Sequence, residues 1–354
     1  MLSISKTIEN NSQTQIVSAH CSDYPQGLYI ELTDRCNLLC PMCRQSAVAG
    51  DVLSLEVFKE IADALFPHAR FVDLRGWGES TLLPNFEAYL DYAMRFPLQK
   101  KLITNATVNK PHLWQKLGEA GVIVGVSIDA ADPELYEQLR VGAKLEKMLA
   151  NVRQIIRAAE TSGLDPKQQV YFCITASGMN LLDIKNIVHI GLDLGIDRFK
   201  LEPLKTSDGD PNHLKYHIQT VKAETAALKT LVEETGARIE LSASLIEEQV
   251  YEPAVRKLCI HPWQYLYVNS RGRMGFCDHL NGVEEFTFAN WSEGSFEDFW
   301  NGPEMVQLRK EHLARFNQGQ EIAICGDCNW CYNRRYMDLE DMIDPNWSEY
   351  RVQL

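Results

Sequence analysis

The sequence predicts an α/β protein built on a parallel sheet, and three observations carry that. Six short apolar runs lie between residues 27 and 204, an amphipathic stretch separates each from the next, and several runs are apolar on consecutive positions. Consecutive apolar residues mark strands buried on both faces. Strands alternating with helices imply parallel crossovers, in a sheet that is open or closed.

The elements follow in order. GLYIELT (27–33) is the first strand, and SLEVFKEIADALF follows it with Ser54 placed as an N-cap. FVDLRGW (71–77) is the second, before PNFEAYLDYAMRF, which opens with Pro84. Proline suits a first helical turn because the N–H it lacks would have no intrahelical partner. KKLITNA (100–106) and VIVGVSID (122–129) are the third and fourth strands. Asp132-Pro133 repeats the cap-plus-proline signal before ELYEQLR, and KLEKMLANVRQIIRAAE runs to Gly163. VYFCITA (170–176) is the fifth strand, Asn180 caps LLDIKNIVHIGLDL, which stops at Gly195, and RFKLEPL (198–204) is the sixth. Residues 205–215 turn polar with Gly and Pro and read as a linker before a helix and ARIELSA.

Length and composition bound the function. A chain of 354 residues exceeds one compact core, so a large and a smaller domain are expected. Its 45% apolar and 23% charged residues are ordinary for a globular protein. The net charge of −13 disfavours a nucleic-acid partner. No apolar run approaches the ~18 residues of a membrane span, and residues 1–26 form a polar lead-in without the apolar core of a signal peptide. A cytoplasmic location is expected. Thiols there stay reduced, so clustered cysteines bind metal or do chemistry rather than form disulfides. Eight of the ten cysteines fall in two groups; Cys21 and Cys173 stand apart, and Cys173 reads as a small buried hydrophobe.

The first group is Cys36-Asn-Leu-Leu-Cys40-Pro-Met-Cys43, just after the first strand. Three thiolates in eight residues hold three corners of an iron–sulfur cube, and the fourth iron keeps an open position, as catalytic metal sites do. A zinc knuckle is the alternative, but C-x3-C-x2-C has no fourth ligand nearby. At these residues the sequence resembles the radical S-adenosylmethionine (SAM) superfamily, with Met42 where an aromatic is usual. The resemblance implies a [4Fe–4S] cluster that binds SAM at its open iron. It also implies reductive cleavage to a 5′-deoxyadenosyl radical and hydrogen abstraction from the substrate.

Further residues match the superfamily's pattern. Gly76-Trp77-Gly78-Glu79 stands where it has a GGE-type motif holding the SAM amino group, with Trp77 replacing a small residue. Ser127 and Asp129 end the fourth strand, where members contact SAM, and Asn105 matches a strand-end position facing the site. Arg140 is either a partner for the SAM carboxylate or a surface arginine on a helix. The resemblance covers residues 27–205 and implies a partial (β/α)6 TIM-like barrel with its chemistry at the C-terminal strand ends.

The second group is Cys259, Cys277, Cys325, Cys328 and Cys331. With Pro-Trp after the first cysteine, a Gly-x4-Cys step at Gly272–Cys277 and FEDFW before a helix, residues 251–335 resemble the SPASM/twitch extension, a small α+β auxiliary-cluster domain. Five cysteines cannot fill two four-cysteine clusters, so one auxiliary [4Fe–4S] cluster on Cys259, Cys277, Cys325 and Cys328 is expected. Cys331 then replaces Cys328, donates a hydrogen atom or is simply buried. A zinc ribbon is the alternative for the whole group. His261 and His279 lie near the ligands, and Lys200 and Glu202 at a strand end suit substrate contact.

The domains expected are the lead-in (1–26), the radical SAM core (27–205), a linker with helix and strand (206–250) and the auxiliary-cluster domain (251–354). The reaction expected is oxidation or epimerisation of a small polar metabolite such as a sugar or aminocyclitol, with a ferredoxin- or flavodoxin-type electron donor. Peptide maturation is the alternative, disfavoured by the short lead-in. A non-catalytic iron–sulfur or zinc protein is the remote one.

Overall fold

The structure is a computed structural model that describes residues 6–8, 15–21, 23–43, 50–204, 206–207, 209–241, 259, 261–277, 287–318, 322 and 325. The chain divides into two compact units: Met1–Ile30, Leu53–Val72 and Tyr251–Leu354 form one, Glu31–Val52 and Asp73–Val250 the other. Among the described residues no helix is long and apolar enough to cross a membrane.

In the second unit, strands β5 (Gln99–Thr104), β6 (Ile123–Ser127), β7 (Val170–Ala176), β8 (Arg198–Pro203) and β9 (Arg238–Leu241) lie side by side in chain order. Every pairing is parallel. Helices fill the crossovers, as parallel strands require. The helix Leu145–Thr161 buries Met148, Val152, Ile155, Ile156 and Ala159, a stripe at helical spacing. Each fully buried aliphatic side chain contributes about 1.5–3 kcal/mol. Asp132 caps its helix as expected, accepting from the Leu135 N–H at 2.8 Å.

Asn180 does not cap. Its Oδ1 accepts from the Ser177 N–H at 2.8 Å, and its Nδ2 donates to the carbonyls of Asp129 and Thr175 at 2.8 and 2.9 Å. A buried amide satisfies strand-end carbonyls before a helix N-terminus that water can reach.

β7 and β8 are buried on one face and half-buried on the other. Phe172, Ile174, Phe199 and Leu201 are covered, whereas Cys173, Thr175, Lys200 and Glu202 remain partly accessible.

In the first unit, β3 (Gly27–Ile30) lies between β4 (Phe71–Asp73) and β10 (Tyr265–Val268), and β11 (Arg273–Gly275) and β12 (Thr287–Asn290) continue outward from β10. β10 runs parallel to β3, pairing Tyr265–Val268 with Gly27–Ile30, while β10, β11 and β12 pair antiparallel. Tyr29, Phe71, Tyr265 and Tyr267 form an aromatic cluster here. Gly27 is required by it, because a Cβ would lie 2.5 Å from the Phe71 ring. Ser54 caps its helix by accepting from the Val57 N–H at 3.2 Å. Within the polar lead-in, β1 (Lys6–Ile8) pairs antiparallel with β2 (Gln15–Val17).

Candidate radical SAM site and auxiliary cysteines

The segment that carries the first cysteines is fastened at both ends. Thr33 Oγ1 donates to the Asp51 carbonyl at 2.8 Å, and Arg35 Nε donates to Gly50 O at 2.5 Å. Residues 76–79 lie against the same segment. The Glu79 N–H donates to Arg35 O at 2.7 Å, and the Trp77 N–H donates to Glu31 Oε1 at 2.7 Å. Both glycines of the motif are steric necessities. A Cβ on Gly76 would lie 2.2 Å from Glu31 Cγ, and one on Gly78 would lie 2.4 Å from the carbonyl oxygens of Thr33 and Arg35.

Cys36 and Cys43 are exposed and Cys40 is buried. The Cys43 N–H donates to Cys40 O at 3.0 Å, and the Leu38 N–H donates to Cys36 Sγ at 3.5 Å. Burial pushes the Cys36 thiol up, the Leu38 N–H lowers it, and Glu79, Cys40 and Cys43 add to the rise. Burial also pushes Cys40 up, against Arg140, which favours its thiolate. Cys40 and Cys43 thus both act on the Cys36 thiol, and Cys43 acts on Cys40. Among the described residues no three His, Cys, Asp or Glu side chains are gathered onto a single metal-ion position. A cube that takes one thiol per iron corner suits thiols that converge without meeting at a point.

The surrounding polar groups have defined partners. Glu79 Oε1 accepts from the Thr81 N–H (3.2 Å), Thr81 Oγ1 (2.5 Å) and Thr104 Oγ1 (2.7 Å), and its Oε2 accepts from the Asn105 N–H (2.7 Å). This carboxylate is committed to the chain itself. Asn105 Nδ2 donates to Asn37 Oδ1 at 3.0 Å and approaches Cys36 Sγ at 3.8 Å. Ser127 ends β6, half-buried. Asp129 is fully buried; its Oδ1 accepts from the Thr175 N–H at 2.7 Å and its Oδ2 from Arg140 Nε at 2.5 Å. Arg140 is therefore no surface arginine. Burial alone would weaken its charge, but Asp129 and Cys40 raise its pKa overall, so it stays cationic.

In the first unit, Cys259 Sγ lies 3.3 Å from His261 Nδ1, and Cys325 Sγ lies 3.8 Å from His312 Nε2. The His312 ring meets those of Phe276, which adjoins Cys277, and Trp263. Burial, then Arg315 and His261, push the His312 imidazole down to about 3, so it is neutral near pH 7. Cys259 and Cys325 thus each lie beside a histidine, and Cys277 follows Phe276, whose ring meets that of His312; thiolate ligands are what an iron–sulfur cluster takes. Cys328, Cys331 and His279 lie outside the described residues.

Two neighbours of the candidate sites escape sequence reading. Glu31 sits directly after an apolar strand, and its only signal is a carboxylate inside the run GLYIELT. His312 lies in a polar helix, thirteen residues from the cysteine it touches.

Comparison with known proteins agrees with this geometry. The family model for the radical SAM superfamily matches residues 30–188, and that for the SPASM iron–sulfur cluster-binding domain matches residues 259–329. The antilisterial bacteriocin subtilosin biosynthesis protein AlbA of Bacillus subtilis is 24% identical over 91% of this chain and 70% of its own. The AdoMet-dependent heme synthase of Methanosarcina barkeri is 25% identical over 90% of this chain and 95% of its own. The crystal structure of Streptococcus suis SuiB bound to its precursor peptide SuiA superposes with a TM-score of 0.64 at 15% identity, over 82% of this chain and 68% of that one, which shows the fold. The fold is a TIM-like partial barrel with a C-terminal SPASM domain, and the cofactors that go with it are a [4Fe–4S] cluster, SAM and auxiliary iron–sulfur chemistry. Residues 30–188 thus carry a radical SAM domain and residues 259–329 a SPASM iron–sulfur cluster-binding domain.

Proposed function

We propose that this radical SAM enzyme modifies a polypeptide, with Cys36, Cys40 and Cys43 holding the SAM-binding cluster and Cys259, Cys277, Cys325 and Cys328 holding one auxiliary cluster. The observation that carries the site is the fastened three-cysteine segment with Asn105 and the Asp129–Arg140 pair beside it. Cluster and SAM together supply hydrogen-atom abstraction from an unactivated C–H bond. Arg140 presents a permanent cation for the SAM carboxylate, and Asp129 fixes its direction. Gly76, Trp77 and Gly78 offer backbone groups to the SAM amine, and Glu79 braces that turn from behind. Asn105 and Ser127 offer small polar contacts.

The polypeptide substrate is supported by AlbA, a bacteriocin biosynthesis protein, and by SuiB, solved with a precursor peptide. A substrate other than a peptide is the second reading, favoured by the heme synthase, which this chain matches over nearly its whole length. A low-potential ferredoxin or flavodoxin serves either, and Cys331 is held in reserve as a ligand or hydrogen donor. This reading takes a core at 27–205, a linker at 206–250 and an auxiliary domain at 251–354 as its division of the chain, and a cytoplasmic setting suits both clusters.

The test is anaerobic reconstitution followed by dithionite and SAM. Wild type should release 5′-deoxyadenosine. Replacing Cys36, Cys40 and Cys43 together should abolish release while the auxiliary absorbance persists. Peptides encoded beside the gene should then change mass on turnover. No 5′-deoxyadenosine overturns the site assignment, and turnover of a metabolite with no peptide modified overturns the polypeptide reading.

A further inference from the structure

One buried polar group beside the first cysteines pairs with nothing among the described residues. Tyr136 lies on the helix Pro133–Leu139, which Asp132 caps. Its side chain is fully buried, and its hydroxyl has no hydrogen-bond partner there. A buried donor without an acceptor costs stability, and native chains seldom keep one unless an ion, a water or a cofactor supplies the acceptor.

The helix places Tyr136 next to the cysteine loop. The Arg140 N–H donates to the Tyr136 carbonyl at 2.7 Å, so the two residues are neighbours one helical turn apart. Arg140 Nε donates to Asp129 Oδ2 at 2.5 Å, and the guanidinium also hydrogen-bonds the buried Cys40 thiol. The two residues after Arg140 hold the loop itself. The Leu39 N–H donates to Val141 O at 2.9 Å, and a Cβ on Gly142 would lie 3.4 Å from Asn37 O. The charges of Arg140, Asp129 and Cys40 all act on the Tyr136 phenol.

None of these groups accepts from the hydroxyl. Arg140 has only donors to offer. Asp129 is engaged through both oxygens, with the Thr175 N–H at 2.7 Å and with Arg140. Burial above all pushes the Tyr136 phenol up, so it keeps its proton near pH 7 and remains a donor. The acceptor it lacks is one that arrives with Cys40 as a cluster ligand, and the sulfurs of an iron–sulfur cube accept hydrogen bonds.

We infer that the Tyr136 hydroxyl donates a hydrogen bond to a sulfur of the SAM-binding cluster, beside Cys40, and so raises the reduction potential of that cluster. Such a bond favours the reduced cluster, which carries one more negative charge. Tyr136 thereby sets how readily the electron donor fills the cluster that cleaves SAM. The inference rests on the assignment of Cys36, Cys40 and Cys43 to that cluster.

The test is a redox titration of the reconstituted full-length protein, read by electron paramagnetic resonance, with the auxiliary cluster as internal control. Tyr136→Phe removes the donor and keeps the ring. It should make reduction of the SAM-binding cluster about tenfold less favourable, the worth of one hydrogen bond to a charged group, which is a fall of about 59 mV for one electron. The auxiliary midpoint should not move. A fluorinated tyrosine at the same position, a stronger donor of nearly the same shape, should shift the midpoint the other way. In the cluster-free protein, Tyr136→Phe should unfold at the wild-type temperature or above, because the hydroxyl it loses has no acceptor there.

An unchanged midpoint in Tyr136→Phe, an equal shift of both clusters, or a lower unfolding temperature of the cluster-free variant overturns the inference. So does a tenfold loss of SAM affinity at an unchanged midpoint, which makes the SAM carboxylate the acceptor instead. A SAM-responsive cluster in wild type whose midpoint survives the substitution sinks the hydrogen bond alone. Absence of any SAM-responsive cluster in wild type sinks the cysteine assignment with it.

Discussion

Glu79→Gln separates two roles that a Gly-x-Gly-Glu strand end can have. If the carboxylate grips the SAM amine, the substitution weakens SAM binding and leaves the fold intact. The hydrogen bonds argue the reverse. Oε1 gathers three donors and Oε2 a fourth, the Asn105 N–H, all within buried surroundings. The amide oxygen of Gln can keep the three-donor position, but its NH2 then faces the Asn105 N–H, donor against donor. The loss is one charge-assisted bond of about 1.5–3 kcal/mol plus a buried unpaired N–H of about 1–3 kcal/mol. Relief of burying a carboxylate offsets part of this, so about 3 kcal/mol remains. For a domain of this size that lowers the thermal midpoint by roughly 6–12 °C.

The assay is thermal unfolding of the anaerobic protein with and without SAM. The expected result is a large drop in midpoint and a SAM Kd, measured on the folded fraction below it, within about tenfold of wild type. An unchanged midpoint with SAM affinity lost would refute the brace.

Further outcomes follow from the same geometry. Gly78→Ala forces a Cβ against two backbone carbonyls, so iron bound after reconstitution should fall by the share due to the SAM cluster. Gly209→Ala, with nothing within 4 Å of its Cβ, should retain full iron. Arg140→Gln leaves Asp129 buried without its cation and should destabilise by about 3–5 kcal/mol. The double variant Asp129→Asn, Arg140→Gln should recover part of that stability but not SAM affinity, as calorimetric titration would report. Arg309→Met removes a fully buried guanidinium that donates to the carbonyls of Pro262 (2.8 Å) and Trp300 (2.7 Å). Two carbonyls are left without a donor, and a midpoint loss worth about 2–4 kcal/mol should appear in differential scanning calorimetry.

The strands of the core were legible because each is an apolar run bounded by turn residues, and all six appear where their pattern puts them. The cysteine spacing was legible for the same local reason: the loop's chemistry is written in eight consecutive residues. What the sequence hid is what depends on partners far along the chain. Arg140 read equally well as a surface residue, since its partner Asp129 lies eleven positions away on another element. Glu79 matched a motif, yet its carboxylate is spent on Thr81, Thr104 and Asn105, which no pattern connects to it. Cys173 passed for a core thiol because VYFCITA is apolar enough to look sealed on both faces, when only one is. The pairing of β10 with β3 joins residues more than two hundred positions apart and has no local signature.

That last pairing decides what can be cut from this protein. Gly27–Ile30 hands its outer row of amides and carbonyls to Tyr265–Val268, and Tyr29 stacks on Tyr265 at 5.9 Å. A fragment ending before residue 251 would leave that row bare beside exposed aromatic rings, the kind of margin on which chains stick to one another. The C-terminal portion is thus no detachable accessory. Shortened versions made to study SAM cleavage in isolation should be recovered as aggregates rather than as a working core.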